Sequence, residues 1–165
     1  INRMSGMISE ILYEDYKSCI TTDELLQAVL AQISISDYAN YVKVYNPYPE
    51  NLLIVSKTRM IRVIINLLEN AYEASKESGP CIHVNVSRFF IGDTAYIGFE
   101  VTDNGCGIEP KNYDKIWEVG YSARDSHGLG LSFVKSVIDA YEGEIEIESK
   151  LGEGTTIKVM LKEGA

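Results

Sequence analysis

Cysteines and basic residues are scarce in this sequence. Cys19, Cys81 and Cys106 are widely spaced and form no C-x-x-C pair, which disfavours a zinc site or a disulfide framework and is typical of a reducing cytoplasm. Lysine and arginine total 15 against 24 aspartates and glutamates, a net charge of −9. This balance argues against a nucleic-acid partner bound through a basic patch. It also repels any polyanion, so such a ligand would need local groups to hold it.

Long hydrophobic runs are also absent. No apolar stretch approaches the ~20 residues needed to span a bilayer, and no segment resembles a signal peptide. Hydrophobic residues still make up 45% of the 165 residues, enough for the core of one domain. The chain starts at Ile1 rather than at methionine, so we expect a fragment of a longer protein. The fragment is expected to be a cytoplasmic domain, and membrane anchoring of the parent stays open.

Hydrophobic periodicity predicts an alternation of helices and strands. Helices are predicted over residues 3–12, 21–33, 58–77 and 130–141. The second begins with Thr21 and Glu24, which have the spacing of a capping box. Strands are predicted over residues 41–45, 52–55, 82–87, 95–102, 143–149 and 155–162. Residues 105–127 show little periodicity, which predicts a loop with one helical turn near residues 111–117.

Two asparagines share a face of the longest predicted helix. Asn66 and Asn70 are one turn apart, roughly 40° around the helix axis, beside its apolar stripe. Their carboxamide oxygens suit a hard cation such as Mg²⁺, which takes few protein ligands together with water and phosphate oxygens. A pair of polar residues at the edge of the buried stripe would show the same spacing without binding anything.

Asp103 ends an apolar strand and opens a turn that contains Gly105 and Gly107. Its carboxylate can accept a hydrogen bond from an exocyclic amine such as that of adenine. The two glycines would let the backbone approach a ligand closely. A simple Asp-Asn-Gly turn without a ligand is the alternative.

A second glycine turn precedes the last predicted helix. His127, Gly128, Leu129 and Gly130 lie where backbone N–H groups at a helix start can bind phosphates. The pattern is neither the dinucleotide fingerprint nor a P-loop. Arg124, in the preceding loop, is either a phosphate contact or a solvated side chain.

Taken in order, these motifs resemble the GHKL ATPase superfamily, and most closely the catalytic ATP-binding domain of sensor histidine kinases. Residues 66–71 resemble the N box, 103–108 the G1 box, 116–122 the F box, 126–131 the G2 box and 152–155 the last glycine box. The resemblance covers residues ~20–162. It implies a Bergerat-type ATP-binding fold, an α/β (α+β) two-layer sandwich with a mixed sheet of about five strands and helices on one face.

The resemblance also implies ATP and Mg²⁺ as ligands. Asn70 would coordinate Mg²⁺ with support from Asn66, and Asp103 would recognise the adenine amine with Thr155 nearby through water. The phosphate-binding turn would belong to a lid from about residue 110 to residue 128. The candidate ATP-binding residues are Asn66, Asn70, Asp103, Gly105, Gly107, Arg124, His127, Gly128, Leu129, Gly130 and Thr155.

Three features depart from the family pattern. Ser126 replaces the first glycine of the G2 box, which would stiffen one hinge of the lid. Glu73 and Ala74 stand where a basic residue often follows the N box, which removes a phosphate contact. The lid is short between Tyr121 and Gly128, which would leave ATP more exposed.

The two histidines do not lie where a phosphoacceptor is expected. His83 is predicted on the solvent face of a strand, and His127 belongs to the glycine turn. The acceptor is therefore expected in a histidine-containing dimerisation domain before Ile1, and the fragment alone should show little autophosphorylation. Residues 1–18 resemble the end of a dimerisation-hairpin helix and its linker, and residues 19–165 the ATP-binding catalytic domain.

The leading functional prediction is a histidine kinase domain that transfers the γ-phosphate of ATP to that histidine. The full-length protein would be a homodimer that acts with a response regulator and binds no nucleic acid. The alternatives are an anti-sigma-type serine kinase on the same fold and a nucleotide-binding scaffold without catalysis. The apolar stripe of residues 4–12 favours the sensor kinase because it suits a helical hairpin that dimerises into four helices.

Overall fold

The computed structural model describes residues 16–121 and 130–164, which form two sheets and three α-helices. The elements are β1 (Ser18–Thr21), α1 (Thr22–Ile33), β2 (Val42–Tyr45), β3 (Leu52–Val55), α2 (Lys57–Ser75), β4 (Ile82–Ile91), β5 (Thr94–Asp103), α3 (Gly130–Ala140), β6 (Glu144–Lys150) and β7 (Gly154–Lys162). Short 3₁₀ turns lie at Ala39–Tyr41, Pro110–Asn112 and Lys115–Trp117. No helix in these ranges has the length and apolarity needed to cross a membrane.

The larger sheet has the strand order β2-β4-β5-β7-β6. Strand β2 runs parallel to β4, and the other neighbours are antiparallel. Strands β1 and β3 form a separate antiparallel pair. Helix α2 packs on β4, β5 and β7, while α3 packs on β6 and β7. The predicted five-stranded mixed sheet with helices on one face is therefore confirmed.

The helix starts follow from local capping. Thr21 accepts a hydrogen bond from the Glu24 N–H at 3.1 Å, and the Glu24 carboxylate accepts one from the Thr21 N–H at 2.8 Å. This reciprocal pair is the predicted capping box of α1. Ser56 caps α2 by accepting a hydrogen bond from the Arg59 N–H at 3.4 Å, and its own N–H donates to the Tyr141 hydroxyl at 2.8 Å. The second bond ties the start of α2 to the end of α3.

The core lies between the five-stranded sheet and the helices, and it includes the buried side chains of α1 and of the β1–β3 pair. Alternation along the strands places Val84, Val101 and Ile157 side by side in register on the covered face. The opposite face carries polar residues such as Glu100 and Lys158. Helix α2 supplies the complementary apolar stripe of Met60, Val63, Ile64, Leu67, Leu68 and Ala71. Packing of this stripe fixes which side of α2 is left to face solvent.

The sequence patterns predicted no strand at β1 and a β4 that is shorter than the one observed. β1 has four residues, pairs only with β3 and spans the predicted domain boundary at residue 18, so it offers little periodicity to detect. β4 continues to Ile91 because its last residues pair with the start of β5 in a hairpin, although Phe90 and Ile91 are exposed. The predicted helix over residues 3–12 lies outside the described residues.

Replacement of Phe99 tests the sheet-to-helix packing. Phe99 is fully buried, so Phe99→Ala should lower the free energy of unfolding by about 3–5 kcal/mol through lost burial and a residual cavity. Phe90 is 60% exposed at the end of the β4–β5 hairpin, so Phe90→Ala should cost less than about 1 kcal/mol. Urea denaturation of both variants checks this, and equal losses would contradict the assignment of the core.

Candidate functional site

A cleft of about 960 Å³ opens beside the solvent-facing side of α2. Its walls come from α2, the end of β5, the start of β7, the segments that follow α1 and β5, and the start of α3. Six predicted site residues line it together: Asn66, Asn70, Asp103, Gly107, Gly130 and Thr155. Four others, Arg124, His127, Gly128 and Leu129, lie outside the described residues. The motifs therefore converge on one cavity of a size typical for a small-molecule ligand.

The asparagine pair occupies one end of the cleft. The Asn66 Oδ1 atom lies 3.4 Å from the position that a Cβ on Gly130 would take, so this carboxamide adjoins the first residue of α3. Asn70 follows one turn later on the same side of α2. Its Nδ2 atom is buried and has no hydrogen-bond partner among the described residues. A buried polar group in this state is costly, and a ligand in the cleft could complete its bonding.

Asp103 occupies the other end, at the last residue of β5. It is 9% exposed, and its Oδ1 accepts a hydrogen bond from the Gly105 N–H at 2.7 Å. Burial raises the pKa of its carboxyl group, and backbone hydrogen bonds from Gly105 and Thr155 oppose that rise. The folded chain thus holds this proton more tightly than the unfolded chain. Burial of the carboxylate costs stability above the raised pKa, and the cost is relieved as the pH falls through it.

Thr155 is held beside Asp103 by a serine that the motifs did not indicate. Ser149, opposite Thr155 in the β6–β7 pairing, lies 2.8 Å from the Thr155 hydroxyl and accepts a hydrogen bond from the Ile108 N–H at 2.8 Å. The Tyr113 hydroxyl donates to the Ser149 carbonyl at 2.7 Å. Ser149 therefore links the β6–β7 hairpin to the segment after β5. Its only sequence signal is its position opposite Thr155 in the predicted hairpin.

The glycine turn after β5 is packed between two other backbone segments. A Cβ on Gly105 would meet the Ala74 carbonyl carbon at 2.6 Å, and one on Gly107 would overlap the Lys150 carbonyl oxygen. Gly107 also has a φ of +72°, which disfavours other residues. The close approach these glycines allow in this structure is thus to protein backbone. Gly105 packs against α2 without lining the cleft, and its contact with a nucleotide stays a prediction.

Comparison with known proteins identifies the family of this chain. Residues 56–165 match the sequence model of the family described as histidine kinase-, DNA gyrase B-, and HSP90-like ATPase. The chain belongs to this ATPase family. The predicted resemblance is therefore confirmed, and the matched range contains every motif from the asparagine pair to the last glycine turn.

Curated relatives of this ATPase domain are much longer proteins. Sporulation kinase B of Bacillus subtilis strain 168 is 32% identical over 169 residues, which cover 98% of this chain and 38% of the relative. Cyanobacterial phytochrome A of Nostoc sp. is 32% identical over 117 residues, which cover 68% of this chain and 14% of the relative. The chain thus spans 14–38% of the length of these two relatives.

Solved structures confirm the fold of the ATPase domain. The catalytic domain of histidine kinase ThkA superposes with a TM-score of 0.76 at 20% identity, covering 89% of this chain and 95% of that domain. A mycobacterial sensor histidine kinase, MprB, superposes with a TM-score of 0.71 at 21% identity, covering 89% of this chain and 97% of that chain. The predicted layered architecture is therefore that of histidine kinase ATPase domains.

Replacement of Gly154 tests the packing around Asp103. Gly154 has a φ of +128°, and a Cβ there would overlap the Asp103 carbonyl oxygen. Gly154→Ala should therefore lower the free energy of unfolding by at least about 3 kcal/mol, from backbone strain together with the clash.

Gly152→Ala is the matched control for this variant. Gly152 has a φ of +80° but open space around its Cβ position, so strain alone should cost about 1–2 kcal/mol. Both variants can be measured by urea denaturation. Equal stability of the two variants would show that the start of β7 is not closely packed against Asp103.

Proposed function

We propose that this domain binds ATP together with Mg²⁺ and transfers the γ-phosphate to a histidine in a preceding dimerisation domain of a two-component sensor kinase. The observation that carries the proposal is one cleft with a buried acceptor, Asp103, at one end and the Asn66–Asn70 pair at the other. Membership of the ATPase family and relatives named as kinases support the same conclusion.

The spacing along α2 suits an extended nucleotide. Ala74 adjoins Gly105 at the Asp103 end, and Asn66 adjoins Gly130 at the other. At a rise of ~1.5 Å per residue these two levels of α2 are about 12 Å apart. Adenine would lie at Asp103 and Thr155, with its amine donating to the carboxylate. The phosphates would then extend towards the start of α3, because the N-terminus of a helix favours anions.

The residues present fit a magnesium ion held mainly by its nucleotide. Asn70 lines the cleft, where its buried, unsatisfied Nδ2 could donate to a phosphate oxygen and its Oδ1 would be the magnesium ligand. Among the described residues no three histidine, cysteine, aspartate or glutamate side chains converge on a common point. Mg²⁺ often takes one or two protein ligands and completes its shell with phosphate oxygens and water, so Asn70, supported by Asn66, would be sufficient. When bound, the ion would neutralise phosphate charge.

The catalytic contribution of the domain would be positioning. In phosphoryl transfer the protein mainly orients the nucleotide and stabilises charge. His83 lies on the exposed face of β4, in register with Lys43 and Thr102, and not on a helix. The acceptor histidine is therefore proposed in the preceding domain, within a homodimer that passes the phosphoryl group to a response regulator. The relatives named as sensor kinases favour this over a serine kinase of the same fold.

Replacement of Asp103 by asparagine should separate nucleotide binding from folding. The variant keeps the size of the side chain but loses the charged acceptor, so ATP affinity should fall at least about tenfold, the scale of a hydrogen bond to a charged group. Isothermal calorimetry with Mg²⁺ measures the affinity, and a thermal melt verifies the fold. Asp93→Asn, in the exposed β4–β5 turn, is the control and should bind normally. Unchanged affinity in Asp103→Asn would remove Asp103 from the adenine role.

Replacement of Asn70 by alanine should weaken ATP binding mainly in the presence of Mg²⁺. Loss of the amide oxygen removes a ligand from the metal complex but little from metal-free ATP. Calorimetry in Mg²⁺ and in a chelator compares the two states. Asn85→Ala, on the outer face of β4, is the control. An equal loss in both buffers would remove Asn70 from the magnesium role.

A further inference from the structure

A cysteine and a histidine lie side by side on the face of the larger sheet that is turned away from the cleft. The Cys81 Sγ atom lies 3.2 Å from the His83 Nε2 atom, within hydrogen-bond distance. Both residues are exposed, and Ile82 between them is fully buried. Alternation along the strand therefore turns both side chains to solvent on one face, where a small molecule can reach the thiol.

The backbone of this pair is held in place by its neighbours. The Cys81 N–H donates a hydrogen bond to Asn104 Oδ1 at 2.9 Å, and the Asn104 amide donates to the Gly79 carbonyl at 3.0 Å. His83 is fixed within β4 by its pairing with β5. Since both residues are already positioned, little conformational freedom has to be lost to bring the sulfur and the nitrogen together.

His83 gives the Cys81 thiol a proton acceptor at hydrogen-bond distance. A neutral imidazole whose Nε2 carries no proton can take the thiol proton, and the protonated ring can then donate a hydrogen bond to the thiolate. A nucleophile with a base within reach is the arrangement that activates a cysteine. By contrast, the Cys106 thiol donates to the Gly107 carbonyl at 3.5 Å, and a carbonyl group does not act as a base.

A structural metal site is the competing use of a cysteine and a histidine. Zinc in such sites takes four protein ligands. Within residues 16–121 and 130–164 no three histidine, cysteine, aspartate or glutamate side chains converge on a common point. The pair is therefore better suited to reaction at sulfur than to holding a zinc ion.

We propose that Cys81 and His83 form a thiol modification site that reacts with low-molecular-weight disulfides. His83 Nε2 takes the proton of the Cys81 thiol, and the sulfur attacks one sulfur atom of the disulfide. A new S–S bond to Cys81 forms as the original S–S bond breaks, and the departing thiolate takes the proton back from His83. One disulfide replaces another, so the exchange needs no further oxidant. The inference goes beyond the proposed function and does not depend on ATP binding.

The test is the rate of adduct formation at each cysteine of the 165-residue chain, with the disulfide of mercaptoethanol as the probe. The probe is uncharged, so the net charge of the chain does not bias the comparison. Peptide mass spectrometry of acid-quenched samples gives separate rates for Cys19, Cys81 and Cys106, which are all exposed. Cys81 should react roughly three- to tenfold faster than Cys19, which lies in the separate β1–β3 pair.

Two variants separate proton transfer from local charge. His83→Gln removes the base but keeps a polar side chain, so it should slow the reaction at Cys81 roughly three- to tenfold and leave the rate at Cys19 unchanged. Lys43→Gln is the matched control, because Lys43 is the exposed residue of β2 in register with His83. It removes a positive charge from the same face and should change the rate at Cys81 by less than about twofold. Thermal melts verify that both variants are folded.

Equal rates at Cys81 and Cys19 in the unsubstituted chain would overturn the inference. An unchanged rate at Cys81 in His83→Gln would also overturn it, as would equal slowing in His83→Gln and Lys43→Gln, which would assign the effect to local charge. None of these results bears on the ATP site. Failure of the chain to bind ATP would in turn overturn the proposed function and leave the Cys81 site standing.

Discussion

The close crossing of three backbone segments at the end of β5 is the constraint on which the rest of the structure depends. The turn after Asp103 passes so near to α2 on one side and to the β6–β7 hairpin on the other that Gly105, Gly107 and Gly154 leave no room for a Cβ. Backbone hydrogen bonds join the same segments, from Cys106 to Ala74 at 3.1 Å and from Gly152 to Cys106 at 2.7 Å. The distance between helix and sheet at the cleft is thereby fixed.

This constraint explains why a carboxylate is buried where burial is unfavourable. Asp103 is desolvated because the chain around it is so closely packed, and the Gly105 and Thr155 N–H groups offset part of that cost. A polar group that is short of hydrogen bonds lowers the stability of the fold, and a ligand that supplies the missing partner binds more tightly for that reason. At the other end of the cleft, the buried amide of Asn70 likewise lacks a partner among the described residues.

Sequence patterns predicted the elements that have strong periodicity and the residues that belong to motifs. The capping box at Thr21, the long helix and the central strands were identified because each has many residues in a regular repeat. The short β1 and the hydrogen bonds that Ser149 accepts from Ile108 and Tyr113 could not be found in this way, since both depend on partners more than 30 residues away in the chain. Close approach of Gly105 and Gly107 to a ligand stays a prediction, while the close approach that the structure shows is to protein backbone and is decided by tertiary packing.

The strand topology has a consequence for synthesis, because the chain is made from its N-terminal end. β7 follows all the other strands of the described residues in sequence, yet it lies between β5 and β6 in the sheet and carries Thr155 next to Asp103. Until it is synthesised, β5 has an unpaired edge and the cleft lacks one wall. While residues 104–153 are synthesised, the nascent chain therefore carries an unpaired strand edge, the kind of surface that templates aggregation, and lacks a complete site through which a ligand could stabilise it.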